Sequence, residues 1–377
     1  MRRHRGLVAV SVVGLLVLSG CLVGFVPSDG SEDPGDGDDT DDVDGDLEIH
    51  HIDVGQGDST LLVTPAGETV LIDTGTWQAD GRGVIEHLED EGIDRIDHLV
   101  TTHGHADHVG GHAAVIEHFE ERGEGVGAVY DPGVASTSAT YERYLDAIED
   151  HDVRLFEVAA GDRLPLEDES VDATVLNPPD DDEGNIDAYS TVLSVEYGEF
   201  SYLTTGDIED GTERRLVDER GDALAADAYQ AGHHGSSTSS SEPFLDAVDP
   251  EIAVISSALD SQYGHPHDEV LAALTDRDVE TYWTGVHGDV VLETDGEDVA
   301  VTTETEGPTD PAALLERKKG AQSTSDAESL SEAAPGQPSP SERSSSPEQP
   351  VSIQPHASLG HPPAPVVDSA APRIPAR

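Results

Sequence analysis

Apolar residues between positions 47 and 306 occur in short runs that alternate with segments of helical spacing. Short aliphatic, β-branched and aromatic runs bounded by Gly, Asp or Pro are typical of strands. They predict strands at 47–54, 59–63, 69–72, 96–101, 153–158, 173–176, 191–197, 200–203, 226–230, 251–255, 280–283 and 289–293. Helical spacing predicts helices at 83–91, 109–121, 141–150, 211–218 and 268–275. This order of elements predicts one α/β (α+β) domain, residues 47–306, in which helices cover mixed sheets.

The first 26 residues have the pattern of a targeting segment. Arg2, Arg3 and Arg5 precede an apolar run from 6 to 18, which is too short for a comfortable membrane span. The Leu-Ser-Gly-Cys sequence at 18–21 resembles a lipobox, so we predict a lipoprotein-type signal with lipid on Cys21. The alternative is an uncleaved anchor helix that runs on to residue 26. Both interpretations predict an extracytoplasmic protein anchored to the cell membrane.

Two polar segments flank the predicted domain. Residues 28–46 contain ten acidic residues among Gly and Ser, so they cannot bury enough apolar surface to offset the entropy of ordering. We therefore predict that 27–46 is an acidic disordered linker. Residues 307–377 are rich in Pro, Ser and Ala without periodicity, which predicts a Pro/Ser-rich disordered tail.

The charge of the chain excludes several classes of protein. It has 79 Asp and Glu against 19 Lys and Arg, a net charge of −60, and a single Cys. One Cys permits neither an internal disulfide nor a cysteine-based zinc knuckle, so a metal site must use His and carboxylate. A broad basic surface for nucleic acid is also excluded. Acid excess spread through folded segments indicates a halophilic source, because molar salt screens self-repulsion.

The strongest chemical signal is a histidine-rich motif at 101–111, directly after a predicted strand. His103, His105, Asp107 and His108 bring three imidazoles and one carboxylate within six residues. Alternate residues such as His103 and His105 can face one cavity, while Asp107 and His108 face a second. Such ligands suit Zn²⁺, Mn²⁺ or Fe, and two ions about 3.5 to 4 Å apart can hold an attacking and a leaving oxygen.

Other residues can complete this site. Asp207 follows the predicted strand 200–203, where a carboxylate could bridge two ions. His233 and His234 are adjacent, so at most one is expected to bind metal while the other meets substrate. His265 and His267 lie on a Pro-containing turn, where metal or substrate contact and simple helix capping are both open. The last metal ligand could be His233, His234 or His265.

Several motifs together resemble the metallo-β-lactamase superfamily. They are His-Ile-Asp-Val-Gly-Gln-Gly-Asp-Ser-Thr at 51–60, Leu-Ile-Asp-Thr-Gly at 71–75, the motif at 103–108, Thr-Gly-Asp at 205–207, His-His-Gly-Ser at 233–236 and Tyr-Gly-His-Pro-His at 263–267. Within the superfamily they resemble the hydrolase domain attached to ComEC/Rec2 competence proteins, which import DNA. The resemblance covers about 47–303 and implies a four-layer αβ/βα sandwich with two mixed sheets and a metal site at one edge.

The resemblance also implies a ligand set of one or two divalent ions, Zn or Mn. His103 and His105 would bind one ion, Asp107 and His108 the other, and Asp207 would bridge them. The histidine expected between the first motif and Asp207 is missing, because no His occurs from 152 to 231. That stretch offers other polar candidates, Asn177, Asn185 and Ser190. A further expectation is that Asp73 hydrogen-bonds a ligating imidazole.

These patterns predict an extracytoplasmic, membrane-tethered, metal-dependent hydrolase. By resemblance, its substrate is a phosphodiester in extracellular DNA, bound with low affinity because the surface is acidic. Asp107 is expected to orient the attacking water, and His234 or His267 to stabilise charge on the departing group. One alternative is a small-molecule hydrolase of the same superfamily acting on a lactone, lactam, ester or nucleotide. Another is a non-catalytic metal-binding lipoprotein. No protein partner can be identified from the sequence.

Overall fold

The computed structural model describes residues 45–179 and 185–332, with side chains described as far as residue 322. The predicted signal or anchor segment, most of the acidic linker and the chain beyond residue 332 lie outside the described residues. In the part that is described, no helix is both long and apolar enough to span a membrane.

Strands and helices alternate along the chain much as the apolar pattern predicts. The strands are β1 Leu47–His51, β2 Thr60–Val63, β3 Thr69–Ile72, β4 Ile96–Val100, β5 Val126–Asp131, β6 Leu155–Glu157, β7 Val171–Asn177, β8 Val192–Tyr197, β9 Phe200–Thr204, β10 Ala228–Gln230, β11 Ile252–Ile255, β12 Glu280–Trp283, β13 Val290–Thr294 and β14 Val299–Thr303. The α-helices are α1 Arg82–Asp90, α2 His112–Arg122, α3 Ala139–Asp150, α4 Asp210–Arg220, α5 Glu242–Val248, α6 Asp268–Thr275, α7 Thr284–His287 and α8 Pro311–Glu332.

The strands form two mixed sheets. The first has the order β14-β13-β1-β2-β3-β4-β5-β6, antiparallel as far as β3 and parallel from β3 to β6. The second has the order β12-β11-β10-β9-β8-β7, parallel from β12 to β9 and antiparallel from β9 to β7. Each sheet therefore has a parallel half, where the strands end at the same edge.

Three clusters of buried apolar side chains define the layers. One cluster lies between the sheets and joins residues such as Ile49 and Val70 to Val195 and Val254. A second joins the outer face of the first sheet to α1, α2 and α3, and a third joins the outer face of the second sheet to α4, α5 and α6. Helix, sheet, sheet and helix stack in that order, because each sheet buries both faces. The predicted four-layer αβ/βα sandwich with two mixed sheets is confirmed.

The described structure continues in helical form past the predicted end of the domain. The sequence predicts a disordered tail from residue 307, but α8 begins at Pro311 and packs on α6. Leu314 is fully buried in the outer cluster of the second sheet, and Lys318 Nζ donates a hydrogen bond to Asp268 Oδ1 at 2.6 Å. The prediction is wrong for this segment because 312–319, Ala-Ala-Leu-Leu-Glu-Arg-Lys-Lys, is a run of strong helix formers after a proline at the first helical position.

Candidate metal centre

The histidine-rich motif lies in a loop that leaves the end of β4 and enters α2. Backbone hydrogen bonds join it to the loop after β3: Thr74 N to His108 O at 2.8 Å, Trp77 N to Ala106 O at 3.1 Å and Gly110 N to Gly75 O at 2.9 Å. A Cβ atom on Gly110 would lie 2.1 Å from Trp77 N, so only glycine allows this approach. These hydrogen bonds join the two loops and hold the imidazole and carboxylate side chains of the motif on a rigid backbone.

His103 and His105 converge on one point. Nε2 of His103 and Nδ1 of His105 lie 3.0 Å apart, with their rings nearly perpendicular at 77°. The His103 side chain is fully buried, and its other nitrogen contacts Thr102 Oγ1 at 3.1 Å. Using Nε2 of one ring and Nδ1 of the other allows both lone pairs to face a single cation.

A second group of polar atoms forms around Asp207. His108 Nε2 lies 3.2 Å from Asp207 Oδ1, and His234 Nε2 lies 3.4 Å from Asp107 Oδ2 and 3.8 Å from Asp207 Oδ2. Asp207 Oδ2 is also 3.8 Å from His103 Nε2, which places this carboxylate between the two groups. Asp207 thus lies beside His103, His108 and His234, and Asp107 lies beside His234.

Backbone conformation explains why Asp207 and the histidine pair come together. Asp207 follows Gly206, whose φ of 51° turns the chain sharply after β9. His233 and His234 follow β10 in two successive left-handed conformations, with φ of 52° and 56°. His233 N donates to Gly206 O at 3.0 Å, so the two turns support each other. Consecutive left-handed non-glycine residues are costly and are found where surrounding structure requires them, commonly at functional sites.

Carboxylates behind the imidazoles fix their orientation. Asp73 Oδ2 lies 2.7 Å from His108 Nδ1, and Thr102 donates to both oxygens of Asp73 from N and Oγ1 at 2.9 and 2.5 Å. Asp58 Oδ1 lies 3.3 Å from His234 Nδ1, which also contacts Ser256 O at 3.2 Å. Each contact holds the proton on Nδ1 and leaves Nε2 directed at the cluster. The expected pairing of Asp73 with a motif imidazole is therefore present.

The ionisable groups of the cluster strongly shift one another's pKa values. Burial alone would raise the pKa of Asp207, but the neighbouring His108, His234 and His103 hold it well below its usual range. Burial alone would lower the pKa values of His108 and His234, but Asp207, with Asp73 beside His108 and Asp58 beside His234, raises both well above the usual range. The pKa of His103 is lowered well below its usual range, chiefly by burial. The buried carboxylates thus stabilise positive charge on the groups that lie between them.

The donor atoms of the cluster fit a divalent cation. Five buried atoms in this part of the described structure make no hydrogen bond: Asp58 Oδ1, His108 Nε2, His234 Nε2, Asp207 Oδ1 and Asp187 Oδ1. Ligand atoms of two sets lie within 4.8 Å of one another, namely His103, His105 and Asp207, and Asp58, His108, Asp207 and His234. Unsatisfied buried imidazole and carboxylate atoms are costly unless a metal occupies the space between them. Two such sets sharing Asp207 describe a binuclear-type metal site.

Asp187 belongs to this site, although the sequence reasoning did not identify it. Its Oδ1 lies 3.2 Å from His105 Nδ1 and 3.9 Å from His103 Nε2. The three polar residues considered for this stretch support its turn instead. Asn177 Nδ2 donates to Ala188 O and Ser190 O, Asn185 Oδ1 accepts from Ala188 N, and Ser190 Oγ accepts from Asp207 N. The only sequence signal for Asp187 is an acidic residue three positions before Ser190.

Two further candidate histidines, His233 and His265, lie at the edge of the cluster. His233 Nε2 lies 3.5 Å from Asp207 Oδ2, its Nδ1 contacts Thr238 Oγ1 at 3.2 Å, and its side chain is 27% exposed. His265 has its ring centroid 5.9 Å from His233 and 6.1 Å from His234. Burial and the neighbouring imidazoles lower the pKa of His265 to about 4, so it stays neutral.

His267 does not face the cluster with a free nitrogen. Its Nδ1 accepts a hydrogen bond from Ser237 N at 2.8 Å, and its Nε2 donates to Tyr263 O at 3.2 Å. Because both ring nitrogens are used to join two loops, His267 has none left to stabilise a departing group. His267 is the N-cap residue of α6, but its side chain makes no capping hydrogen bond, so its observed contacts are those that join the two loops.

The fold and this site define a metal-dependent hydrolase. The profile of the Metallo-beta-lactamase superfamily matches residues 52–258, and the chain belongs to that superfamily. It is 30% identical over 259 residues to "ComE operon protein 3" of Bacillus subtilis, covering 64% of this chain and 32% of that protein. It is 34% identical over 219 residues to "Competence protein ComA" of Neisseria gonorrhoeae, covering 58% of this chain and 28% of that protein. The chain thus spans less than a third of either relative.

The fold is also similar to that of a solved structure. The metallo-beta-lactamase fold protein YhfI from Bacillus subtilis aligns with a TM-score of 0.45 at 12% identity, covering 66% of this chain and 100% of that one. The hydrolase is related to competence proteins through the two sequence relatives.

Proposed function

We propose that this metal-dependent hydrolase is a phosphodiesterase that cleaves DNA outside the cytoplasmic membrane. The observation that carries the proposal is the pair of ligand sets that share Asp207, in a chain similar to proteins named for competence. Competence concerns uptake of DNA, and two adjacent divalent ions suit in-line displacement at phosphorus. Extracellular DNA is thus the substrate that agrees best with both the metal site and the related proteins.

The residues that would hold the ions follow from the distances. His103 and His105 would hold one ion, and His108 and His234 the other, with Asp207 shared. Asp107 would join the second ion, because its Oδ2 faces Nε2 of His234, whereas Asp58 Oδ1 faces the opposite ring nitrogen, Nδ1. His234 is preferred to His233 and His265 as the last ligand, because its Nε2 is buried and lies 3.4 Å from Asp107 Oδ2. When bound, the ions supply an activated water and polarise the phosphoryl group.

The chain's own residues would position substrate and water. Asp107 stays ionised, because the His234 hydrogen bond and the charge of His108 lower its pKa despite burial, so it can accept a hydrogen bond from the attacking water. His233 is the partly exposed member of the histidine pair and has its Nε2 beside Asp207. We assign His233, in place of His234 and His267, to the contact with the departing oxygen; the ring of His265 lies 5.9 Å from that of His233.

Two exposed aromatic side chains, Trp77 beside the metal loop and Tyr263 beside His265, form what we call the rim of the site. They favour a substrate that contains nucleobases. Among the described residues, the large apolar side chains that are exposed are Trp77 at 52%, Tyr263 at 57% and Leu145 at 36%. Trp77 lies on the loop bonded to Ala106, and the Tyr263 ring lies 5.7 Å from the His265 ring. Stacking on bases supports binding of single strands without a basic surface. This contribution offsets the main objection, the net charge of −60.

The acidic surface also favours a second candidate, hydrolysis of a small ester, lactone, lactam or nucleotide, which needs no contact with a long phosphate backbone. The two candidates share the metal site and differ in what the rim binds. A generic diester such as bis(p-nitrophenyl) phosphate and a lactone separate them, because the first candidate requires activity on the diester.

The test uses the full chain in molar KCl with single-stranded DNA and Mn²⁺ or Zn²⁺. We expect loss of full-length DNA that requires the metal and disappears in Asp107→Asn. The exposed acid Asp210, which pairs with Arg214, provides a matched control, and Asp210→Asn should keep the activity. Intact DNA with metal bound and both variants folded would contradict the nuclease proposal and direct the search to small substrates.

Location and environment form the rest of the proposal. We assign the chain to the outer side of the membrane as a lipoprotein of a halophilic organism, on the basis of the motif at Cys21 and the acid excess. Loss of membrane fractionation in Cys21→Ser tests the anchor. A thermal unfolding midpoint that rises steeply between about 0.1 and about 3 M KCl tests the adaptation to salt, because the salt screens charge, and an unchanged midpoint would contradict it.

A further inference from the structure

The His103 and His105 pair lacks a third protein donor of its own in the ligand set proposed above. Asp207 is shared with the second group, and no histidine occurs between 152 and 231. The side chain that lies beside both imidazoles is Asp187, with Oδ1 3.2 Å from His105 Nδ1 and 3.9 Å from His103 Nε2. Asp187 thus places a carboxylate oxygen beside both imidazoles of the first group.

The turn that carries Asp187 is held firmly against the metal loop. Thr191 N donates to Thr102 O at 2.8 Å, and Thr191 Oγ1 donates to Thr101 O at 3.0 Å. On the other side, Asn177 Nδ2 donates to Ser190 O at 2.6 Å. Ser190 N in turn donates to Asp187 O at 3.0 Å. These contacts fix the backbone of the turn independently of the Asp187 carboxylate, so that carboxylate is positioned in advance.

The Asp187 carboxylate is poorly satisfied by the protein alone. Its Oδ1 is buried and makes no hydrogen bond in the described structure, although the side chain as a whole is 19% exposed. Leaving a buried carboxylate oxygen without a partner is costly. A carboxylate oxygen directed at two imidazole nitrogens is well suited to a cation placed between the three.

We propose that Asp187 is the third protein ligand of the first metal position, beside His103 Nε2 and His105 Nδ1. The inference deepens the proposed function and rests on the binding of an ion by His103 and His105. With Asp207, the donor set becomes two imidazoles and two carboxylates. Oxygen donors favour harder ions, so the affinity for Mn²⁺ relative to Zn²⁺ is higher at this position than at a site with a third imidazole.

The experiment measures metal binding and not turnover. Full-length protein is stripped of metal and titrated with Mn²⁺ and, separately, with Zn²⁺ by isothermal calorimetry, and the Mn²⁺ complexes are followed by electron paramagnetic resonance. In the Asp187→Asn variant, we expect one of two binding events to weaken at least about 10-fold, with the other unchanged. In Asp187→His, we expect that event to return with the ratio of affinities shifted at least about 10-fold toward Zn²⁺.

Two controls separate the possible failures. Asp210→Asn removes one exposed negative charge at the start of α4 and should leave both events unchanged. His103→Ala should abolish the same event that Asp187→Asn weakens. If His103→Ala abolishes an event and Asp187→Asn leaves it intact, Asp187 is not a ligand, although the proposed metal position stands. If His103→Ala changes no event, the metal position itself fails and the inference fails with it.

Discussion

Asp73 and His108 form a buried hydrogen-bonded pair in which Oδ2 lies 2.7 Å from Nδ1 and both side chains are 0% exposed. The pair directs His108 Nε2 at Asp207, 3.2 Å away. Asp73 sits at the end of β3 and His108 in the loop after β4, so the pair joins two neighbouring parallel strands at their carboxyl ends. A carboxylate in this position fixes the tautomer and increases the basicity of the imidazole toward a metal.

Removing the charge of Asp73 should weaken metal binding. Asp73 has a φ of 57°, a conformation that Asn tolerates better than Ala, so Asp73→Asn is the cleaner variant. We expect Asp73→Asn to lower the affinity for one ion by about 10-fold and Asp73→Ala by up to about 100-fold, measured by metal titration.

Asp131 offers a matched control for that prediction. It is also a buried carboxylate at a strand end, but its oxygens accept hydrogen bonds from Gly133 N and Tyr144 Oη at 2.8 and 3.2 Å. Asp131→Asn should therefore leave metal affinity unchanged while altering stability. Equal affinities in wild type and both Asp73 variants would show that the pair is structural only.

Much of the site could be predicted because its residues are contiguous in the sequence. His103, His105, Asp107 and His108 lie on one loop, and a loop that leaves a buried strand places them together whatever the rest of the chain does. Asp187 could not be found in the same way. Its turn carries no repeating pattern, and only the folded contacts with Thr102 and Asn177 bring its carboxylate to His105.

Two of the strands were missed for local physical reasons. Strand β5 contains Gly127, which weakens a strand pattern, yet a Cβ there would lie 2.4 Å from Asp97 O of the adjacent strand. Strand β14 is an edge strand whose residues are partly or wholly exposed, so it lacks an apolar face to recognise. The α8 helix was hidden because its helix-forming start was averaged with a long Pro/Ser-rich segment.

The docking of α8 predicts a stability effect at residue 314. Leu314 is 0% exposed in the cluster over the second sheet, while Leu315 is only partly buried against it. Leu314→Ala should lower the free energy of unfolding by about 2 to 5 kcal/mol, because it leaves a cavity. Leu315→Ala, with the same change in helix propensity, should cost clearly less. Equal effects in chemical unfolding would mean that α8 is not docked as described.

A buried histidine predicts sensitivity to acid. Burial lowers the pKa of His112 to about 3, and its two nitrogens contact Thr74 Oγ1 and Thr101 Oγ1 at 2.7 and 3.0 Å. The unfolded chain takes up this proton near pH 6.5 and the folded chain only near 3. Stability from the neutral His112 is therefore fully present above about pH 6.5 and is lost as the pH falls toward 3.

The variant that tests this is His112→Gln, which does not titrate. The free energy of unfolding of wild type minus that of the variant should fall by up to about 1.4 kcal/mol per pH unit between about pH 6 and 4. His118→Gln, on the same helix but partly exposed, controls for the change of residue type. A difference that does not depend on pH would show that His112 does not titrate as its burial implies.

The rim aromatics predict a selective effect on substrate binding. If Trp77 and Tyr263 stack on bases, replacing either by Ala should raise KM for single-stranded DNA by about 5-fold or more, since stacking contributes roughly 1 to 3 kcal/mol per base. Neither change should lower kcat/KM for bis(p-nitrophenyl) phosphate, because that substrate has no nucleobases. Leu145 on α3, the other large apolar side chain exposed in the described structure, supplies the control. Leu145→Ala should leave both substrates unaffected, and an equal loss on DNA for all three variants would assign the effect to general surface change instead of stacking.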